Sequence, residues 1–238
     1  MLVATGLEKL QEVEAAVQAL NPAVRVLTVA MDVASEADVA GLFEQVRSTF
    51  GHADVLINNA VVLAGGPVLH ETATDEFWSN FEVNTRGPYL LTKAFIAQLP
   101  TPETRATIAT LTSFSAYQIY PFIAGYSISK LAAWSLAANV AVAYPNITSA
   151  VVHPGLVRTR QLQPAFQRFD LDSPELVGSV LAWIASDPER SHFLSGRIIS
   201  SNWDVDGLLA RKDEILASNK LQLDLVGPFG KEQFESKT

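Results

Sequence analysis

The chain contains no cysteine, which excludes disulfide staples, thiol catalysis and cysteine-based zinc sites. Histidine is scarce as well. His52, His70, His153 and His192 stand far apart, and no His-x-x-x-His spacing offers a metal two ligands from one helix face. Positive charge is in short supply: 17 Lys and Arg against 25 Asp and Glu leave a formal charge of −8 and a pI near 5.0. That balance argues against a general binder of nucleic acid or anionic membranes. Long hydrophobic runs are missing too. The most apolar stretch, Leu131 to Tyr144, is broken by Trp134, Ser135 and Asn139, and it falls short of the roughly 18 apolar residues a spanning helix requires. No basic segment followed by an apolar run and a cleavage site is read at the N-terminus. Together these absences predict a soluble, cytoplasmic protein whose partners include neither nucleic acid nor membrane.

What the sequence does have is apolar bulk, 48% over 238 residues, enough for a large core in one domain. Helical and strand periodicities alternate through it. Leu10, Val13, Ala16, Val17 and Leu20 share one side of a helix over Leu7 to Leu20. A β-rich run from Val24 to Met31 ends at Asp32, and Ser35 then caps a helix that Gly51 stops. Asp54 to Ile57 reads as a short strand running into Asn58-Asn59-Ala60, and one long helix is predicted over Asp75 to Gln98. A strand over Ala106 to Thr112 leads to Ser113, a second long helix runs from about Tyr126 to Tyr144, and the strand Thr148 to Val152 ends at His153-Pro154-Gly155. Ser173-Pro174-Glu175 is a cap, a first-turn proline and an acidic first turn for a helix to about Ser186, and a last strand covers Arg197 to Ser200. Such alternation predicts an α/β fold, a doubly wound parallel sheet of Rossmann-like type in a single domain over residues 1–218, with 219–238 as a C-terminal tail.

The polar residues of interest are not scattered over that pattern. Asp32, Asn58, Asn59, Ser113 and Pro154-Gly155 all follow a predicted strand directly, and the carboxyl ends of strands form the ligand crevice of open α/β sheets. Tyr126 and Lys130, four residues apart, share a helix face. A phenol titrates near pH 10, too high for efficient acid–base work at neutrality, and a neighbouring ammonium is expected to lower it. The pair alone is a weak signal, since lysine follows tyrosine at this spacing by chance often enough.

The ordered set is more specific. Asn58-Asn59-Ala60, Asn84 within Glu82-Val83-Asn84-Thr85-Arg86-Gly87, Ser113, Tyr126-Ser127-Ile128-Ser129-Lys130 and Pro154-Gly155-Leu156-Val157-Arg158-Thr159 resemble, in order and spacing, the short-chain dehydrogenase/reductase family. The resemblance runs from about Leu7 to Leu216, and Ser200 to Asp206 is similar to one subgroup. It implies Tyr126 as the catalytic acid/base, Ser113 as the hydroxyl holding the substrate oxygen, Lys130 as the residue tuning the phenol and binding the nicotinamide ribose, and Asn84 as the support of a proton relay. It further implies NADP or NAD as cofactor, NADP slightly favoured, contacted by Asp32, Asn59, Ala60, Val157, Thr159 and Lys93. Plain structural roles stand beside these: Asp32 as a helix cap, Val157 as core, Thr159 as a turn cap and Lys93 as a solvated helix lysine.

The pattern also breaks. The thirteen glycines never form Gly-x-x-x-Gly-x-Gly or Gly-x-Gly-x-x-Gly, so the turn that holds a pyrophosphate is not there. Leu2 to Leu10 already resembles the family's second strand and the helix after it, which implies that a strand-turn-helix piece on the order of 35–40 residues is lacking. Its loss is expected to leave two sheet fragments with unpaired edges. Val61 stands where the family has glycine, and Ala4 and Thr5 carry neither the acid that selects NAD nor the arginine that selects NADP. A shortened chain of a cofactor-using enzyme is favoured over a protein that lacks the unit by nature, because the other cofactor-facing residues are intact.

Three functions compete at this level: a nicotinamide-dependent oxidoreductase of a secondary alcohol or ketone; a cofactor-independent isomerase, dehydratase or cyclase using the same core; and a non-catalytic partner of a related full-length subunit. A roof over Arg160 to Asp172 with Pro164, Phe166 and Phe169, and walls from Tyr117, Phe122 and Trp203, predict a largely apolar small-molecule substrate. The broad apolar coverage of both long helices predicts a homodimer or homotetramer.

Overall fold

Strand and helix alternate as the periodicity requires: β1 (Leu2–Ala4), α1 (Leu7–Leu20), β2 (Thr28–Ala30), α2 (Glu36–Phe50), β3 (Val55–Asn58), α3 (Thr74–Phe81), α4 (Gly87–Ala97), β4 (Ala106–Leu111), α5 (Ala124–Ala143), β5 (Ile147–His153), α6 (Pro174–Ser186), α7 (Pro188–Ser191), β6 (Ile198–Ser200), α8 (Val205–Ala210) and α9 (Lys212–Leu216). This is a computed structural model, and it describes residues 1–66, 68–159, 166 and 168–224. The caps are those the sequence signals. Ser35 Oγ accepts the Asp38 amide at 3.2 Å, Ser173 Oγ accepts the Leu176 amide at 3.3 Å with Pro174 behind it, and Gly51 ends α2 at φ +86°.

Every ladder among the described residues is parallel, but the strands form two sheets, β1-β2 and β3-β4-β5-β6. Both lie on one apolar layer: Val3, Val29 and Leu56 pack against the cluster of Val39, Leu42, Val46, Leu91 and Phe95 from α2 and α4. β4 and β5 are buried at every residue, as strands covered on both faces must be. Along β5 the period of two is visible in the packing. Val151 meets Trp134 and Ala137 of α5, while Ala150 and Val152 meet Val180 and Ile184 of α6.

β3 is different. It bonds to β4 on one side and, among the described residues, to no strand on the other, and Val55 and Ile57 are 39% and 43% exposed. The two-fragment arrangement expected from the sequence is therefore what the fold shows. The same gap leaves α1 thinly covered: of its apolar stripe only Leu10 is buried, while Val13 and Leu20 are exposed.

Two elements differ from the sequence reading. The long helix expected over 75–98 is interrupted by a π-turn at Glu82–Arg86 between α3 and α4. The strand expected over 24–31 narrows to Thr28–Ala30, because only three residues find partners on β1. At the far edge, Lys220 and Leu221 return to the domain. Arg197 donates to the Lys220 carbonyl, and the Ile198 amide donates to Leu221 O at 2.8 Å. Residues 225–238 of the expected tail lie outside the described residues.

Candidate active site

The ends of β3, β4 and β5 open into one cavity of about 670 Å³, lined among others by Asn59, Ser113, Tyr126, Lys130, Val157 and Thr159. Ser113 follows β4 in extended conformation and caps the short 3-10 turn Phe114–Ala116, its Oγ accepting the Ser115 amide at 3.2 Å. The same hydroxyl lines the cavity beside the Tyr126 phenol, close enough to act on its proton affinity. Lys130, one turn further along α5, is buried, and its Nζ donates to Leu111 O at 2.9 Å from 5.8 Å off the Tyr126 ring centroid. Thr112 Oγ1 donates to the Lys130 carbonyl at 3.2 Å, so β4 and α5 are stitched together where these side chains meet. The serine, the phenol and the ammonium are brought together as the sequence order implied.

Their electrostatics correct one expectation. Burial pushes the Tyr126 phenol above its usual value, and the Ser113 hydroxyl pulls it back only partly. Burial also lowers the Lys130 ammonium to about 8. A lowering of the phenol by Lys130 is not what this geometry produces. Desolvation opposes charge on both groups. The phenol is held protonated, the form of a proton donor.

Asn84 does not line the cavity. It is buried in the π-turn, where its Oδ1 accepts the Val62 amide at 2.9 Å and its Nδ2 donates to Val62 O at 2.8 Å and to Ser129 Oγ at 3.0 Å. Ser129 Oγ in turn donates to the Tyr126 carbonyl at 2.7 Å. Asn84 thus clamps the loop after β3 and, through Ser129, the first turn of α5. Asp32 is exposed after β2; its Oδ1 accepts the Ala34 amide at 2.9 Å, shaping the entry to α2. Ala60 is exposed beside Asn59 and outside the cavity lining. Lys93 stands apart, exposed on α4 and 3.8 Å from Glu36. Asn58 is buried, with Nδ2 on Thr92 and Thr110 and Oδ1 left without a hydrogen bond.

Of the expected roof residues Phe166 and Phe169 line the cavity, while the expected walls Tyr117, Phe122 and Trp203 do not. Phe122 backs Phe166 from 6.2 Å, and Tyr120, which periodicity did not single out, completes the aromatic side. Residues 160–165 of the expected roof, Pro164 included, lie outside the described residues.

Four residues of the site were missed in the sequence. Asn80, fully buried, repeats the clamp of Asn84 one turn earlier, its Oδ1 and Nδ2 holding Ala64 N and O at 3.2 and 2.9 Å. The signal for it was there, two asparagines four apart on one helix. His153 is buried against the Phe114 ring at 3.6 Å, and burial lowers it to about 4. Asp172 and Asn202 meet at 2.6 Å on the cavity wall, from positions thirty residues apart that no local pattern connects.

With that geometry in view, comparison with known proteins is decisive. The family model for short chain dehydrogenase matches residues 1–169. The chain belongs to the short-chain dehydrogenase family. Short chain dehydrogenase mpl6 of Monascus purpureus is 35% identical over 218 residues, which cover 90% of this chain and 74% of that one. Short chain dehydrogenase andI of Emericella variicolor is 31% identical with the same shares covered. Among solved structures, levodione reductase superposes with a TM-score of 0.76 at 20% identity over 84% of each chain. NAD⁺-bound xylitol dehydrogenase superposes with 0.73 at 22% identity, over 84% of this chain and 86% of that one. At those identities the structural matches establish the fold, and this short-chain dehydrogenase has it with parallel sheets split between β1-β2 and β3–β6. No helix among the described residues is long and apolar enough to cross a membrane.

Proposed function

We propose that this short-chain dehydrogenase moves a hydride between a nicotinamide cofactor and a secondary alcohol or ketone, with Tyr126 as the acid/base. The observation that carries this reading is the convergence of Ser113, Tyr126 and a buried Lys130 on the wall of one largely apolar cavity. Tyr126, protonated, donates to a carbonyl oxygen as its carbon is reduced, and takes the proton back in the reverse direction. Ser113 supplies the second contact to that oxygen and orients the phenol. Lys130 holds a positive charge at neutral pH next to the ring, which favours the phenolate once the proton has left.

The residues present fit the nicotinamide end of such a cofactor. Lys130 Nζ lines the cavity with Leu111 O as its hydrogen-bond acceptor among the described residues, so two further N–H groups remain for sugar hydroxyls. Asn59, Val157 and Thr159 line the same cavity. When bound, the cofactor supplies or accepts the hydride. Named structures of the same fold, one bound to NAD⁺ and an alcohol dehydrogenase with 5-hydroxy-NADP, support a nicotinamide without choosing between NAD and NADP. The substrate read from the aromatic wall of Tyr120, Phe166 and Phe169 is largely apolar. A homodimer or homotetramer through α5 follows from Ile128, Leu131 and Val142, exposed along one side of that helix.

A second reading is proton transfer without nicotinamide by an isomerase, dehydratase or cyclase that uses the same Ser113, Tyr126 and Lys130. NADPH titration with fluorescence detection separates the two. The first reading expects saturable quenching and enhanced nicotinamide emission, and a flat titration argues for the second. In either case Tyr126→Phe is expected to lower turnover by roughly 10²–10⁴, the usual loss when a general acid is removed. Unchanged turnover would remove Tyr126 from the chemistry.

A further inference from the structure

One wall of the cavity that Tyr126 lines is a turn, residues 154–159, that follows β5 and contributes Leu156, Val157 and Thr159. A free turn of this kind would present those groups in a spread of positions. Here it is tied down by one carboxylate. Asp172 Oδ2 accepts the Leu156 amide at 2.8 Å, and the Asp172 amide donates to the Leu156 carbonyl at 2.9 Å, making an isolated parallel bridge between Val157 and Asp172. Asp172 Oδ1 accepts Asn202 Nδ2 at 2.6 Å, and Asn202 Oδ1 accepts Ser200 Oγ, at the end of β6, at 3.1 Å. The turn after β5, the segment 168–172 and the end of β6 therefore meet at a single side chain. Gly155 makes room for it: at φ +85° a Cβ there would stand 2.2 Å from Asp172 Oδ2.

We propose that Asp172 is a positioning residue that latches the segment 168–172 to the turn 154–159 and holds that turn in the geometry that meets the nicotinamide end of the cofactor. The latch is a statement about the protein alone; its effect on cofactor rests on the function proposed above. The geometry also specifies the chemistry at each end. Position 172 must accept from Leu156 and pair with position 202, so one partner has to accept where the other donates. Asp172→Asn sets two amide N–H groups against each other unless Asn202 flips, and that flip turns the Ser200 hydroxyl from donor to acceptor. Exchanging the pair, Asp172→Asn with Asn202→Asp, restores acceptor to donor in the opposite sense.

The test reads the Leu156 backbone amide by hydrogen exchange, together with NADPH affinity, in wild type, Asp172→Ala, Asp172→Asn and the exchanged pair. Loss of a charge-assisted bond is expected to speed Leu156 exchange about 10- to 100-fold in Asp172→Ala. A smaller acceleration is expected in Asp172→Asn, and a return to within a few-fold of wild type in the exchanged pair. NADPH dissociation constants are expected to follow the same order. If Asp172→Ala does not fold, Asp172→Asn against the exchanged pair decides alone. Unchanged Leu156 exchange in the single variants overturns the latch. Accelerated exchange with unaltered NADPH affinity overturns the positioning role. Accelerated exchange in a protein whose wild type binds no NADPH leaves the latch standing and sinks the nicotinamide reading instead.

Discussion

Lys130 is a buried cation, and replacing it with an apolar side chain should make the protein more stable at neutral pH. Its ammonium falls from an ordinary 10.5 to about 8. Since a tenfold change in proton affinity is about 1.4 kcal/mol, that displacement corresponds to roughly 3 kcal/mol. The sign follows from which state holds the proton more tightly. Between pH 8 and 10.5 the unfolded chain binds more protons than the folded one, so this group makes stability rise with pH across that window, and below pH 8 the full penalty is present. Lys130→Met removes the penalty and forfeits the bond to Leu111 O, a loss of about 1 kcal/mol. The variant should therefore be more stable than wild type by about 2 kcal/mol at pH 7 and less stable by about 1 kcal/mol at pH 10.5. Urea unfolding of both proteins at the two pH values measures this, and contributions common to both cancel in the difference. A variant less stable at pH 7, or a difference independent of pH, would show that Lys130 is not a desolvated cation.

His153, lowered to about 4 by burial, implies an acid limb. As pH falls from 6.5 toward 4 the unfolded chain takes up the proton first, so stability is lost across that range, and His153→Gln should flatten the decline in melting temperature. An equally steep decline in the variant would place the acid sensitivity elsewhere. The open side of β3 predicts that Ile57→Lys reduces self-association seen by light scattering while changing stability by no more than about 0.5 kcal/mol. Unaltered scattering would mean that this edge is not the sticky surface. Gly155→Ala should destabilise by about 1–3 kcal/mol, because the backbone is left-handed there and the new methyl meets the Asp172 carboxylate; an unchanged melting temperature would contradict the described turn.

Much of the molecule was legible in its sequence because the relevant physics is local. Ser35 and Ser173 cap because a short side-chain oxygen reaches an amide three residues on, and Gly51 stops a helix because it alone takes φ +86° without strain. The period of two along Ile147–His153 and the period of four linking Tyr126 to Lys130 are properties of strand and helix geometry. Ser113 reaches Tyr126 because parallel strands put their carboxyl ends on one edge, which element order alone predicts.

The rest depended on contacts that no window of sequence contains. The upward direction of the Tyr126 shift is not readable from spacing, because proximity to Lys130 is local whereas desolvation is set by everything packed around both groups. Lys93 carries the same charge as Lys130 and comes to rest on the surface against Glu36, a difference decided by helix orientation rather than residue type. Asp172 and Asn202, thirty positions apart, become partners only when the segment 168–172 meets the end of β6. Sequence by itself determined the elements, their order and the spacing that sets Tyr126 and Lys130 on one helix face. Tertiary structure decided which charges lose their water and which distant side chains meet, because solvation and long-range pairing are properties of the assembled core.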